Sequence, residues 1–236
     1  MTALLAADGL VAGYGDVTVI RDVAIEIRPG EVVALLGPNG AGKTTTILTL
    51  AGELRPRSGR VVCGGRDETN LPLHLRARSG LAVVTDERAV FMKLTVAENI
   101  RVFRTEQEKV VELFPELRDH VHRQVALLSG GQQQMLALGL ALSRSPSVIL
   151  ADELSLGLAP MLVDRLFDAL RTAADNGAGV LLVEQYVHKA LAIADRAYVM
   201  DRGRISLSGT AEELTPRVDE IQSAYLSGAD APSADS

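Results

Sequence analysis

Short apolar runs and longer amphipathic ones alternate along the chain. Residues 17–20 and 23–27 are β-branched and alternate with polar positions, and Pro29-Gly30 closes them, so they read as strands. Residues 31–36 (Glu-Val-Val-Ala-Leu-Leu) are almost wholly apolar, meet a glycine and lead into a helical pattern over 45–51. Residues 59–65 read as a further strand and turn. Thr95 followed by Glu98 has the spacing of a capping box, at the head of a polar helical stretch that breaks at Pro115. Ser129 opens a second helical segment that runs to Leu142. Residues 148–151 and 180–183 are apolar runs of the kind buried on both faces of a parallel sheet, with a helical pattern over 161–174 between them. Buried strands alternating with helices predict an α/β fold with a mostly parallel sheet.

The 236 residues suffice for a large core. Residues 1–227 are expected to form a single domain, with a helical insertion over about residues 87–142 in its core. The remainder, 228–236, is Gly, Ala, Asp, Pro and Ser and reads as a disordered tail. Aromatics make up 3% and the net charge is −6, which argues against nucleic acid as a partner. Cys63 is the only cysteine, so no internal disulfide forms and a reducing compartment is expected. The N-terminus lacks the basic and apolar regions of a secretory signal, and no apolar run reaches the roughly 18 residues of a membrane span. Any membrane role therefore comes through a partner.

Gly37-Pro38-Asn39-Gly40-Ala41-Gly42-Lys43-Thr44 fits G-x-x-x-x-G-K-[ST] at every fixed position, between a buried strand and a helix. Its glycines let backbone N–H groups turn toward phosphate oxygens. Lys43 brings a mobile positive charge to the β- and γ-phosphates, and the Thr44 hydroxyl suits Mg²⁺. Thr45 completes this ATP-binding set. The apolar strand 148–151 ends in two carboxylates, Asp152 and Glu153. Ligands of a doubly wound sheet sit at the carboxyl ends of its strands, so Asp152 is read as a holder of Mg²⁺ and Glu153 as the group that polarises the attacking water. Ser129-Gly130-Gly131-Gln132, at a helix N-terminus, forms a second anion site by the same physics.

Together these motifs resemble the nucleotide-binding subunit of an ABC transporter: the phosphate loop, Leu128–Gln132 as Leu-Ser-Gly-Gly-Gln, the acidic strand end, and Ser155-Leu156-Gly157 as a dimer-contact loop. The resemblance runs from Tyr14, which matches the aromatic that stacks on adenine, to about residue 228. It implies a P-loop NTPase core with an N-terminal antiparallel β subdomain and an inserted helical subdomain. It further implies a head-to-tail pair of ATPase subunits, homo- or heterodimeric, with ATP held between one phosphate loop and Ser129, Gly130, Gly131 and Gln132 acting in trans. The other implied partners are integral membrane permease subunits and, indirectly, a solute-binding protein. The implied location is the cytoplasmic face of the inner or plasma membrane.

Several positions depart from the common pattern. Asp86 stands where glutamine is usual and remains an oxygen ligand for Mg²⁺ or its waters. Gln185 stands where histidine is usual; its amide can donate to the γ-phosphate but cannot titrate near neutral pH. His188 is out of register to replace it and reads as a surface residue, as do His74, His120 and His122. Leu154 replaces the usual proline, and Ala151 a larger aliphatic residue. Asp86, Glu184-Gln185, the run Ser155-Leu156-Gly157-Leu158-Ala159-Pro160 and the ending Ser223-Ala224-Tyr225-Leu226 resemble the second, shorter ATPase of bacterial branched-chain amino acid importers. Gln185-Tyr186 also resembles ATPases of urea and short-amide importers. The stretch after Asn99 is shorter than in those ATPases. A soluble ABC protein of translation or DNA maintenance would carry two cassettes or a long coiled-coil insertion. A non-hydrolysing regulatory partner would lack Glu153.

Overall fold

The computed structural model describes residues 2–85 and 89–227. Strand β1 (Leu5–Tyr14) and β2 (Val17–Ile27) pair antiparallel, and β3 (Val32–Leu36) runs into the phosphate loop and helix α1 (Lys43–Ala51). Next come β4 (Ser58–Cys63), β5 (Arg66–Asp67), α2 (Leu73–Arg78) and β6 (Leu81–Val84). Between β6 and β7 lie α3 (Val96–Val102), α4 (Gln107–Leu113) and α5 (Gly130–Leu142). The rest is β7 (Val148–Asp152), α6 (Pro160–Asp175), β8 (Gly179–Glu184), α7 (Val187–Ile193), β9 (Arg196–Asp201), β10 (Arg204–Thr210), α8 (Ala211–Leu214) and α9 (Val218–Ser227).

One sheet is antiparallel, in the order β2-β1-β4-β5; the other has six strands in the order β10-β9-β3-β8-β7-β6. In the second, only β10 runs antiparallel to its neighbour. The expected fold class is therefore the observed one. The apolar runs of β3, β7 and β8 are continuous because both faces are covered. Val32, Ala34, Leu36, Ile149, Ala151, Val180 and Leu182 face a core shared with α5, α6 and α7. Val33, Leu35, Val148, Leu150, Leu181 and Val183 face a second core shared with α1 and the antiparallel sheet. Strand parity thus wedges α1 between the two sheets, with the phosphate loop at its head.

The runs 17–20 and 23–27 are one strand, β2, which passes through Asp22 at φ 56. Strand β1 escapes the apolar pattern because Ala, Gly and Asp dilute it; it earns its place by pairing on both sides, with β2 and β4. The hairpin β9–β10 was likewise not marked by the pattern. The break at Pro115 is real: α4 ends at Leu113, and a 3₁₀ turn spans Pro115–His120. His188 and His74 are exposed. Asp86, among the expected metal ligands, and the tail 228–236 lie outside the described residues.

Candidate active site

The carboxyl ends of β3, β7 and β8 assemble the site. At the end of β3 the loop turns through Gly40 (φ 78) and Gly42 (φ 106). A Cβ on Gly42 would lie 2.8 Å from Ile20 Cγ2, and one on Gly37 would lie 2.5 Å from the Met200 carbonyl oxygen. Those two positions therefore admit glycine on steric grounds as well as for the ligand. Helix α1 starts with no side-chain cap and no acidic residue in its first turn, so its leading amides face outward with their positive end uncovered. By contrast α3, α5 and α8 each close their N-termini with a capping box, from Thr95, Ser129 and Thr210.

Lys43 is 4% exposed, and its Nζ donates to the carbonyls of Gly37 (2.8 Å) and Pro38 (3.1 Å). The same ammonium stands 3.7 Å from Glu153 Oε1. Burial holds it below the usual lysine value, opposed by the charges of Glu153 and Asp152. Thr44 is exposed on the first turn, whereas the Thr45 side chain is buried against the core.

Asp152 closes β7 and is buried. Glu153 follows in the left-handed region, φ 49, which costs a non-glycine residue about 1–2 kcal/mol. Its N–H still donates to Val183 O at 2.9 Å, completing the ladder, while the turn swings its carboxylate toward Lys43. Gln185, just past β8, donates from Nε2 to Glu153 Oε1 at 3.0 Å. Lys43, Glu153 and Gln185 thus form one contiguous cluster with the loop carbonyls. Thr44 and Asp152 offer a hydroxyl and a carboxylate, hard oxygen donors that fit a magnesium ion drawing its remaining ligands from phosphate and water. Among the described residues no group of three or more His, Cys, Asp or Glu could hold a metal by itself.

Ser129 caps α5: its Oγ accepts from Gln132 N at 3.2 Å, and Gln132 Oε1 accepts from Ser129 N at 3.0 Å. That leaves the Ser129 hydroxyl proton, with the backbone N–H groups of Gly130 and Gly131, as the donors an anion would meet. A Cβ on Gly131 would lie 2.3 Å from Leu162 Cδ1, so this glycine serves the packing of α5 on α6. Tyr14 ends β1 half exposed, free to offer a ring face.

Two residues here were missed in the sequence. Arg57 donates to the carbonyls of Gly15 (2.6 Å), Asp16 (3.3 Å) and Val17 (3.0 Å) and to Thr18 Oγ1 (2.8 Å), clamping the turn after Tyr14. Glu184, 1% exposed, accepts from Ser155 N and Oγ. Its one signal was a carboxylate at the end of a run otherwise apolar.

Residues 20–155 match the ABC transporter family. The chain belongs to that family. It is 38% identical to the high-affinity branched-chain amino acid transport ATP-binding protein BraG of Pseudomonas aeruginosa, over 95% of this chain and 100% of BraG. It is also 38% identical to the lipopolysaccharide export system ATP-binding protein LptB of Acidithiobacillus ferridurans, over 94% of this chain and 97% of LptB. Among solved structures, the ADP conformation of an ATP-binding cassette of an ABC transporter superposes with a TM-score of 0.82 at 27% identity, covering 94% of this chain and 99% of that one. As an ABC ATPase the chain binds and hydrolyses ATP, and subunits of this kind work as dimers with membrane permease components. Among the described residues no helix is long and apolar enough to cross a membrane.

Proposed function

We propose that this ATPase energises an importer of branched-chain or other hydrophobic amino acids. The observation that carries the reading is the end of β8, where Glu184 and Gln185 replace the usual histidine motif and both engage the exit of β7. That pair, with Ser155 to Pro160, is the part of the chain that resembles the second ATPase of such importers, and the BraG match spans the whole of that protein.

In this reading Tyr14 stacks on adenine, residues 37–45 hold the phosphates, and Lys43 leaves the Glu153 carboxylate for the γ-phosphate. Thr44 and Asp152, with Asp86, hold Mg²⁺, which would neutralise charge on the β- and γ-phosphate oxygens. Glu153 orients and polarises the attacking water, and Gln185 fixes that carboxylate and donates at the γ-phosphate. A second ATPase subunit supplies Ser129–Gln132 across the nucleotide. The exposed Leu156, beside Ser155, supports a contact with that subunit. The membrane subunits meet the face where Phe91, Met92 and Val102 are exposed near Arg104 and Arg144, an apolar surface with a basic rim. The chain then sits on the cytoplasmic side of the membrane, folded as one domain through residue 227.

The test is uptake of labelled leucine, isoleucine and valine by cells carrying the gene, its deletion, or Glu153→Gln. Deletion and Glu153→Gln should both abolish the uptake. Normal uptake with a defect in lipopolysaccharide export, or in urea uptake, would replace the amino acid reading with that cargo.

A further inference from the structure

Three successive residues at the end of β8 grip the exit of β7. Val183 O takes the Glu153 N–H (2.9 Å), Glu184 takes Ser155 N (3.1 Å) and Ser155 Oγ (2.6 Å), and Gln185 Nε2 reaches Glu153 Oε1 (3.0 Å). The grip falls on a backbone that needs holding, since Glu153 sits at φ 49 and the next residue, Leu154, is buried where a proline would have stiffened the turn. Glu184 is the costly member. It is buried at 1% exposure, and burial, reinforced by the nearby Glu153 charge, pushes its carboxyl up despite the bonds from Ser155. A residue chosen for packing alone would be apolar here, like the rest of β8.

We propose that Glu184 is a positioning residue of this ATPase: by holding Ser155 through both its N–H and its hydroxyl, it sets the loop that leaves β7 and so the direction in which Glu153 presents its carboxylate. Ser155 also begins the loop whose next residue, Leu156, is exposed for a second subunit. The same clasp therefore ties that surface to Glu153. This inference rests on the reading of Glu153 as the group that polarises water.

The test uses the full-length chain in the assembly in which the wild type turns over. Glu184→Leu keeps the volume and removes both acceptors; Ser155→Ala removes one hydroxyl. With Glu184→Leu, kcat should fall about 30-fold and KM should change less than about twofold, because a residue acting through Glu153 alters the transition state and not ATP binding. Ser155→Ala should lower kcat about threefold to tenfold, as expected for one hydrogen bond of ordinary net strength. Glu184→Gln still offers an acceptor and should recover turnover to within about threefold of wild type. In a Glu153→Gln background, Glu184→Leu should cost nothing further, a non-additivity that a merely structural residue would not show. The proposal is overturned if Glu184→Leu and Ser155→Ala leave kcat unchanged, if they raise KM as much as they lower kcat, or if their losses add to that of Glu153→Gln. It is equally overturned if Glu184→Gln is as deficient as Glu184→Leu. Should Glu184→Leu fail to fold, Ser155→Ala alone decides. Wild-type turnover in Glu153→Gln by itself would instead overturn the reading of Glu153.

Discussion

Gln185 donates from Nε2 to Glu153 Oε1 at 3.0 Å, and the same oxygen faces the Lys43 ammonium at 3.7 Å. One carboxylate oxygen is thus bracketed by an amide and a cation at the mouth of the phosphate loop. The amide holds its donor at every pH, whereas an imidazole in that place would gain and lose a proton near pH 6.5.

Replacing Gln185 by histidine should therefore introduce a pH limb that the wild type lacks. ATPase rates of Gln185→His, measured between about pH 5.5 and 8.5, should show an inflection near pH 6.5, and the wild-type profile should show none at that pH. Superimposable profiles would mean that position 185 does not touch the reacting centre.

Glu184 makes a prediction about stability. Its carboxyl is raised above the ordinary value of 4.5, with burial the largest cause. A raised acid binds its proton more tightly in the folded chain than in the unfolded one, so its contribution is fully present below pH 4.5 and is lost as pH rises through the raised value. Glu184→Gln has no such proton to lose. Urea unfolding at a series of pH values should show the variant gaining on the wild type as pH rises above 4.5, until the wild-type carboxyl is fully ionised. A stability difference that stays flat with pH would contradict it.

The parts of this site that repeat a backbone device were readable in the sequence; the parts that depend on side-chain reach were not. Gly37, Gly42 and Lys43 announce a phosphate loop because the turn has few other solutions, and β3, β7 and β8 announce themselves because a strand covered on both faces must be apolar throughout. Thr95–Glu98 and Ser129–Gln132 show their caps by spacing alone. Arg57 and Arg76 gave no such sign, and Glu184 gave only that of a carboxylate ending an apolar run. Each acts on backbone atoms that only the tertiary fold brings near, as when Arg57 reaches Gly15 to Val17 from 40 or more positions away. Strand β1 was hidden for the opposite reason, since pairing on both edges makes up for a sequence diluted by Ala, Gly and Asp.

Arg57 holds the turn that follows Tyr14, so its loss should act on nucleotide affinity and not on chemistry. Its side chain is exposed, which keeps the effect modest. Arg57→Ala should raise KM for ATP about threefold to tenfold with kcat within about twofold of wild type. Tyr14→Ala should do the same, and the double variant should be little worse than either alone. Titration with a fluorescent ATP analogue checks this directly, and additive losses would separate Arg57 from Tyr14.

Arg76, 1% exposed on α2, makes the strongest structural prediction. Its guanidinium donates to five carbonyls: Leu71 (2.9 Å), Thr49 (3.2 Å), Leu50, Glu68 (2.6 Å) and Thr69 (3.2 Å). Thr49 and Leu50 lie in the last turn of α1, whose carbonyls carry the negative end of the helix dipole; Thr49 O also accepts from Gly52 N at 3.2 Å. One planar fork thus satisfies the end of the phosphate-loop helix and pins it to the segment between β5 and α2. Gly52 is part of the arrangement, because a Cβ there would lie 2.9 Å from Arg76 Nε and 2.5 Å from Leu71 O. Lysine is a point charge and cannot serve five acceptors in a plane. Arg76→Met takes the guanidinium from all five carbonyls, leaving Thr49 O and Glu68 O with the N–H groups of Gly52 and Leu71, and should cost about 3–5 kcal/mol of unfolding free energy. Arg76→Lys should cost somewhat less, about 2–3 kcal/mol. Both are read from urea unfolding of the full chain. Because the site itself is untouched, the folded fraction of Arg76→Lys should turn over ATP at close to the wild-type rate, and a large loss of kcat with stability intact would refute the structural assignment.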